Sequence, residues 1–165
     1  MPFRIGHGYD VHRFAPAEAA GAFLTIGGVQ IAHARSLLAH SDGDVLVHAL
    51  CDALLGALAL GDLGRHFPDT DPRYRNCDSL TLLQQVLELV RGKGWQIANC
   101  DMTLVAQAPK FAPHVAAMQA RLAQAMQVAA DSVSIKATTT EGLGFAGRQE
   151  GIACHAVVLL EQTAA

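Results

Sequence analysis

Leu46, Leu50, Leu54 and Leu58 recur at every fourth position, and Val47, Cys51 and Leu55 fill a neighbouring row. A helix with that pattern is apolar over most of its girth, so it is expected to lie deep inside a fold. The spacing predicts a helix over about 43–60, with Ser41 as N-cap, Asp44 as its capping-box partner and Gly61 as the stop. The stretch from Val45 to Leu60 is too short to span a bilayer and is interrupted by His48 and Asp52. Those two residues are four apart and share one helix face.

The other segments alternate between two periods. Residues 2–9 read as a strand running into Asp10, Val11 and His12, and residues 22–31 as a short strand or hairpin bent at Gly27 and Gly28. Residues 62–77 carry Gly64, Pro68 and Pro72 among charges and read as a long loop, a class often functional. A second helix is expected at 79–91, with Asp78 as N-cap and Gly92 and Gly94 as the stop. A strand follows at 95–107. Pro113 suits the first position of a helix reaching about 128, and strands at 133–138 and 152–160 complete the chain. The order β-β-α-α-β-α-β-β predicts an α/β (α+β) sandwich with helices over one face of a sheet. Its 165 residues fit one domain, 1–165.

Charged residues make up 16% and aromatic residues 5%, which hints at surface buried between subunits. A net charge of −3 and the lack of any basic run argue against nucleic acid and against a membrane surface as partners. Cys51, Cys77, Cys100 and Cys154 are widely spaced, which disfavours a zinc knot or a disulfide framework. Cys51 and Cys154 fall in apolar runs and are expected to be buried, inert thiols. The first residues lack an apolar h-region and a transit-peptide composition, so a bacterial cytoplasm is the expected setting.

Five segments carry chemistry. Asp10 and His12 point to one side of a strand, and with His48 they offer a three-ligand zinc site with an open fourth position. Asp52 is placed to orient His48 from behind. The plain alternative is a hydrogen-bonded core histidine and an aspartate that caps a turn. His40 to Asp44 sits at a helix N-terminus, where phosphate is favoured; the alternative there is a capping box. The stretch from Lys136 to Arg148 holds three threonines, Glu141 and three glycines after a strand, suited to phosphate oxygens and a hard metal, or to a Thr-rich strand end and a turn. Residues 106–111 place small residues, Pro109 and Lys110 where a base and a phosphate could rest, or form an ordinary connector. Asp62, Asp69 and Asp71 offer carboxylates for sugar hydroxyls, or a polar loop. His7, His33, His66, His114 and His155 show no partner spacing and read as structural or exposed. No nucleophile elbow is present, which disfavours a serine hydrolase.

Arg4 to His12, Leu38 to Asp44 with His48, Gly61-Asp62, Phe67 to Asp71, Ala106 to Lys110, Lys136 to Glu141 and Gly151 to Cys154 together closely resemble the 2-C-methyl-D-erythritol 2,4-cyclodiphosphate synthase (IspF) family of the non-mevalonate isoprenoid pathway. The resemblance spans nearly the whole chain. It implies a four-stranded mixed sheet with helices on one face, in a homotrimer whose sheets face the three-fold axis and whose active sites lie between subunits. It implies that 4-diphosphocytidyl-2-C-methyl-D-erythritol 2-phosphate is cyclised with release of CMP. By position, Asp10, His12 and His48 match zinc ligands and Glu141 the ligand of a second metal, Mg²⁺ or Mn²⁺. His40 and Thr139 match the pair that stabilises the transition state, with Ser41 on the phosphates. Asp10, Val11 and His12 also fall in the substrate-contact set. Asp62, Leu63 and Gly64, with Phe67, Pro68, Asp69, Thr70 and Asp71, match the segment holding the methylerythritol moiety and part of the ribose. Ala106, Gln107, Ala108, Pro109, Lys110, Phe111 and Ala112, with Thr138, Thr139, Thr140 and Glu141, match cytidine and phosphate contacts from the adjacent subunit. Phe145 and Arg148 match further substrate contacts.

Tyr9 and His155 depart from the Phe and acidic residue that family members often carry there. Both positions lie near the central cavity, where some members take an isoprenoid diphosphate. Two other readings use the same residues: a zinc phosphohydrolase with water as nucleophile, and a trimeric carrier of isoprenoid diphosphates.

Overall fold

A computed structural model describes residues 2–68, 70–74 and 76–163. The apolar helix is α1, Val45–Ala57, and 11 of its 13 residues are buried. It rests on β1, Phe3–Arg13, and on β6, Gly151–Gln162. The approach to β1 is close because Gly6 and Gly8 have no side chain there. A Cβ built on Gly6 would stand 1.8 Å from the Ala53 carbonyl oxygen, and one on Gly8 1.9 Å from that of Ala49.

The main sheet has four strands in the order β1-β6-β4-β5, where β4 is Trp95–Val105 and β5 is Val133–Thr138. β6 pairs antiparallel with β1 and with β4, and β4 pairs parallel with β5. β1, β4 and β5 therefore point the same way and end at the same end of the sheet. The helices α3, Ser79–Gly92, and α4, Val115–Met126, pack beside α1 on one face. Gly6 and Gly8 of β1, Met102 and Leu104 of β4 and Cys154 and Val158 of β6 are buried on that side. The opposite face carries no helix. Ile5, Tyr9, Val11 and Val157 stand on it at 72%, 43%, 43% and 44% exposure.

A second, two-stranded sheet is formed by β2, Phe23–Ile26, and β3, Val29–Ala32, joined through Gly27 and Gly28 at φ 59° and 70°. That positive-φ pair is what a two-residue hairpin turn demands. The turn is pinned to α1 by Asp44. Oδ1 of Asp44 accepts the N–H groups of Gly27 and Val47 at 2.9 and 3.1 Å, and Oδ2 accepts that of Gly28 at 2.7 Å. Asp44, not Ser41, is thus the N-cap of α1. The difference is nonlocal in origin, since one carboxylate satisfies a helix start and a distant turn together. Burial pushes its carboxyl up to about 6 against those three bonds.

The expected loop at 62–77 contains two short elements. α2, Leu63–His66, is capped by Asp62, which accepts the Arg65 N–H at 2.9 Å, and a 3₁₀ turn covers Pro72–Tyr74. Pro113 sits in a further 3₁₀ turn, Ala112–His114, and α4 begins after it. Another short helix, α5, spans Gly144–Gly147 before β6. Helix α1 also stops at Ala57, before the expected Gly61. Cys51, Cys100 and Cys154 are buried, and burial raises each thiol, that of Cys100 to about 12, as inert core thiols require. Among the described residues, no helix is long and apolar enough to cross a membrane.

Candidate metal centre and substrate cavity

Asp10 and His12 project from β1 toward α1, and His48 meets them from the first turns of α1. Their donor atoms form a triangle. Asp10 Oδ2 lies 3.1 Å from His12 Nε2 and 3.0 Å from His48 Nδ1, and the two histidine nitrogens are 3.0 Å apart. Among the described residues this is the one cluster of His, Cys, Asp or Glu that could hold a metal ion. Two imidazoles and one carboxylate are a donor set zinc accepts. Tetrahedral donors about 2.1 Å from such an ion stand about 3.4 Å apart, so the triangle needs only a few tenths of an ångström of expansion.

The electrostatics of the triad are coupled. Burial alone opposes ionisation of Asp10, but hydrogen bonds and charge from His12 and His48 outweigh it and hold the carboxyl well below the usual carboxylate range. Burial also opposes a charged His48, and the Asp10 bond and charge, aided by Asp44 and Asp42, outweigh it and raise the ring above its ordinary 6.5. The bond between Asp10 and His48 thus favours a proton on the His48 ring of the metal-free protein. An entering cation must displace that proton, so its apparent affinity rises with pH until the raised His48 value is passed. Chelator competition with Zn²⁺ at about pH 6 and about pH 8 is expected to show tighter binding at the higher pH; equal affinities would contradict it.

Two of the three triad residues, His12 and His48, line a cavity of about 490 Å³. His12, His40, Ser41 and His48 form its polar end, and Leu63, Gly64, Phe67 and Thr70 line it from the α2 segment. Eight residues expected at the site from sequence thus meet around one space.

Residues 3–161 match the sequence model of the YgbB family. The chain belongs to the YgbB family. It is 66% identical over 157 residues to the 2-C-methyl-D-erythritol 2,4-cyclodiphosphate synthase of Pseudomonas syringae pv. syringae, covering 95% of this chain and 98% of the relative. It is 65% identical to the enzyme of the same name from Azotobacter vinelandii, at the same coverage. Among solved structures, the IspF of Plasmodium falciparum in complex with CDP superposes with a TM-score of 0.85 at 32% identity, covering 98% of this chain and 97% of that one. The bifunctional IspDF of Campylobacter jejuni gives a TM-score of 0.90 at 43% identity, covering 97% of this chain and 42% of that one.

The other residues expected at the site of this YgbB chain fall into separate places. Ala106 to Ala112 follow β4, and Thr138 ends β5 with Thr139 to Glu141 directly after it. Gln107 Oε1 accepts the Gly142 N–H at 3.3 Å and so joins the two segments. Thr139 donates to Glu141 Oε1 at 3.0 Å, while the Thr140 hydroxyl donates to the Leu143 carbonyl at 2.5 Å. None of these residues lines the triad's cavity. They lie at the same end of the sheet as the triad, but on β4 and β5 rather than β1, and the edge strand β5 is three strand spacings, about 14 Å, from β1. Phe111 is buried in the core, so its ring is committed to packing. Val11, Phe145 and Arg148 line a second cavity, of about 590 Å³, and Arg148 pairs with Glu150 at 2.7 Å. Asp62 is occupied as a helix cap, and Asp71 pairs with Arg73 at 2.6 Å. Pro68 closes a turn through its carbonyl, which accepts the Asp71 N–H at 2.9 Å. Asp69 lies outside the described residues.

Asp52 does not take the role expected of it. Its carboxylate accepts the Leu63 N–H at 2.7 Å and ties α2 to α1. The outer nitrogen of His48 goes to Ser79 and Ser41 instead. Ser79 escaped notice because a serine after an N-cap aspartate reads as an ordinary helix start. His7 and His155 do have partners: His7 Nε2 is 3.3 Å from His155 Nδ1, and the His155 ring stands 4.8 Å from that of Tyr9 on the open face. Strand register brings them together, and spacing along the chain carries no trace of it.

Proposed function

We propose that this chain converts 4-diphosphocytidyl-2-C-methyl-D-erythritol 2-phosphate to 2-C-methyl-D-erythritol 2,4-cyclodiphosphate and CMP, a step of isoprenoid precursor synthesis. The observation that carries the reading is the Asp10–His12–His48 donor triangle opening on the cavity, in a chain so similar throughout to named synthases. An oxygen of the 2-phosphate bonds to the β-phosphorus, the bond from that phosphorus to the bridging oxygen breaks, and CMP leaves with the bridging oxygen and its electron pair. The attacking phosphate is already an anion at neutral pH, so no general base is required. The obstacle is anion meeting anion, which aimed donors and cations relieve. Because the nucleophile is tethered to the electrophile, much of the entropic barrier is absent.

Asp10, His12 and His48 would hold zinc, which supplies a Lewis acid for a β-phosphate oxygen. Glu141 would hold a second divalent cation, Mg²⁺ or Mn²⁺. His40 and Ser41 aim donors at the phosphates from the cavity wall, and Thr139 completes the pair with His40. Leu63, Gly64, Phe67 and Thr70 would enclose the methylerythritol moiety.

One chain cannot bring Thr139 and Glu141 to its own triad across the width of the sheet. A neighbouring copy can, and the helix-free apolar face gives copies a surface on which to meet. The reading is therefore a homotrimer of one-domain chains, each site built from the triad and cavity of one copy and the β4–β5 segments of the next. Tyr9 and His155 would then face the shared axis, where an isoprenoid diphosphate would meet them.

The test is ³¹P NMR of purified protein with the cytidylyl substrate, Zn²⁺ and Mg²⁺. The expected result is CMP together with two coupled cyclic diphosphate resonances. CMP with a linear bisphosphate would make the chain a hydrolase on the same triad. An unchanged spectrum with metal bound would leave a carrier of isoprenoid diphosphates.

A further inference from the structure

His48 turns Nδ1 toward Asp10 and His12, and its other ring nitrogen, Nε2, points away from the triad. Nε2 lies 2.8 Å from Ser79 Oγ and 3.2 Å from Ser41 Oγ. Ser79 is the first residue of α3 and is fully buried, so it cannot touch a substrate in the cavity. Its hydroxyl donates to Asp42 Oδ1, and its backbone N–H donates to Asp42 Oδ2 at 3.1 Å. Asp42 is itself held by the N–H of Asp44 at 3.2 Å. A serine hydroxyl has one proton to donate. With that proton committed to Asp42, Ser79 Oγ faces His48 as an acceptor. The proton of a neutral His48 then belongs on Nε2, which leaves the Nδ1 lone pair for a cation.

We propose that Ser79, locked by Asp42, is a positioning residue that sets the tautomer and ring orientation of His48 for metal binding. The inference rests on the reading of His48 as a ligand. Partners of this kind, placed behind a ligating histidine, are worth about 10- to 100-fold in metal affinity or activity. Asp42 and Ser79 come from segments far apart in sequence, and they meet because α3 starts against the N-terminal turn of α1.

The test uses the full chain with Ser79→Ala and Ser79→Thr. Zn²⁺ affinity is measured by chelator competition, and the Co²⁺-substituted proteins by visible absorption. Ser79→Ala is expected to weaken Zn²⁺ binding by about tenfold or more and to alter the Co²⁺ spectrum, with Ser79→Thr restoring both in large part. A lower melting temperature in Ser79→Ala with unchanged affinity and an unchanged Co²⁺ spectrum would overturn the proposal, because Ser79 would then only be packing. Should Ser79→Ala fail to fold, the zinc-loaded parent protein decides by long-range ¹H–¹⁵N correlation of its imidazoles. A proton on Nε2 of His48 is expected, and a proton on Nδ1 would overturn the assignment. His48→Ala separates the two levels. Retained zinc there would remove the ligand reading itself. Lost zinc there, with Ser79→Ala binding as tightly as the parent, would remove only the role of Ser79.

Discussion

His48→Ala is expected to abolish stoichiometric zinc and to lower kcat/KM by about a thousandfold or more, since Lewis-acid stabilisation is worth several kcal/mol and each 1.36 kcal/mol is a factor of ten. His48 is the member of the triad with the least exposure and the most connections. Nδ1 closes the donor triangle with Asp10 and His12, and Nε2 is gripped by Ser79 and Ser41. Removing the imidazole leaves two ligands, too few for a tight zinc site. It also leaves Asp10 without the bond and charge that help hold its carboxyl down. The fold itself should persist, because the remaining buried residues of α1 keep their contacts and the Asp44 cap is untouched. Metal content by atomic emission, turnover with the cytidylyl substrate and circular dichroism together decide the matter. A folded variant that still holds one zinc per chain and turns over at the parent rate would show that His48 is a core histidine after all.

The triad could be found in the sequence because its parts obey local rules. Asp10 and His12 alternate on a strand, and His48 interrupts a leucine pattern with an imidazole. The same locality explains the success with α1, α3 and the long strands, whose periodicities extend over many residues. What escaped is nonlocal. Asp44 rather than Ser41 caps α1 because the β2–β3 turn needs the same carboxylate. Asp52 serves the Leu63 N–H, and α2, only four residues long, has no periodicity to announce that partner. The Asp42–Ser79–His48 chain joins three segments, and the His7–His155 contact depends on register. The insertion of β6 between β1 and β4 is the largest such fact. It puts the residues expected around the phosphates at opposite edges of one sheet, and so turns a list of site residues into an argument for a second copy.

Gly8→Ala is expected to damage the fold and the metal site together. The new Cβ would stand 1.9 Å from the Ala49 carbonyl oxygen and 2.7 Å from the Ala53 nitrogen. Both are backbone atoms of α1, so no side-chain rotation relieves the clash, and strand and helix must part by about 1 Å or more. Overpacking of a core commonly costs about 1–3 kcal/mol, and a clash of backbone against backbone belongs at the upper end or beyond. For a chain of this length that corresponds to a melting temperature lower by about 6–12 °C. The consequence for the site follows from position. Asp10 and His12 lie two and four residues further along the same strand, and His48 precedes Ala49 on the helix being pushed away. The separation that frees the new methyl group also opens the 3.0 Å gap between Asp10 and His48. Zinc affinity should therefore fall by at least about tenfold, although no ligand has been changed. Gly92→Ala is the control, since a Cβ there meets nothing within 4 Å. Differential scanning calorimetry and zinc competition on the two variants test the link. If Gly8→Ala kept the parent's melting temperature and zinc affinity, the close packing of β1 on α1 would not be what builds the metal centre.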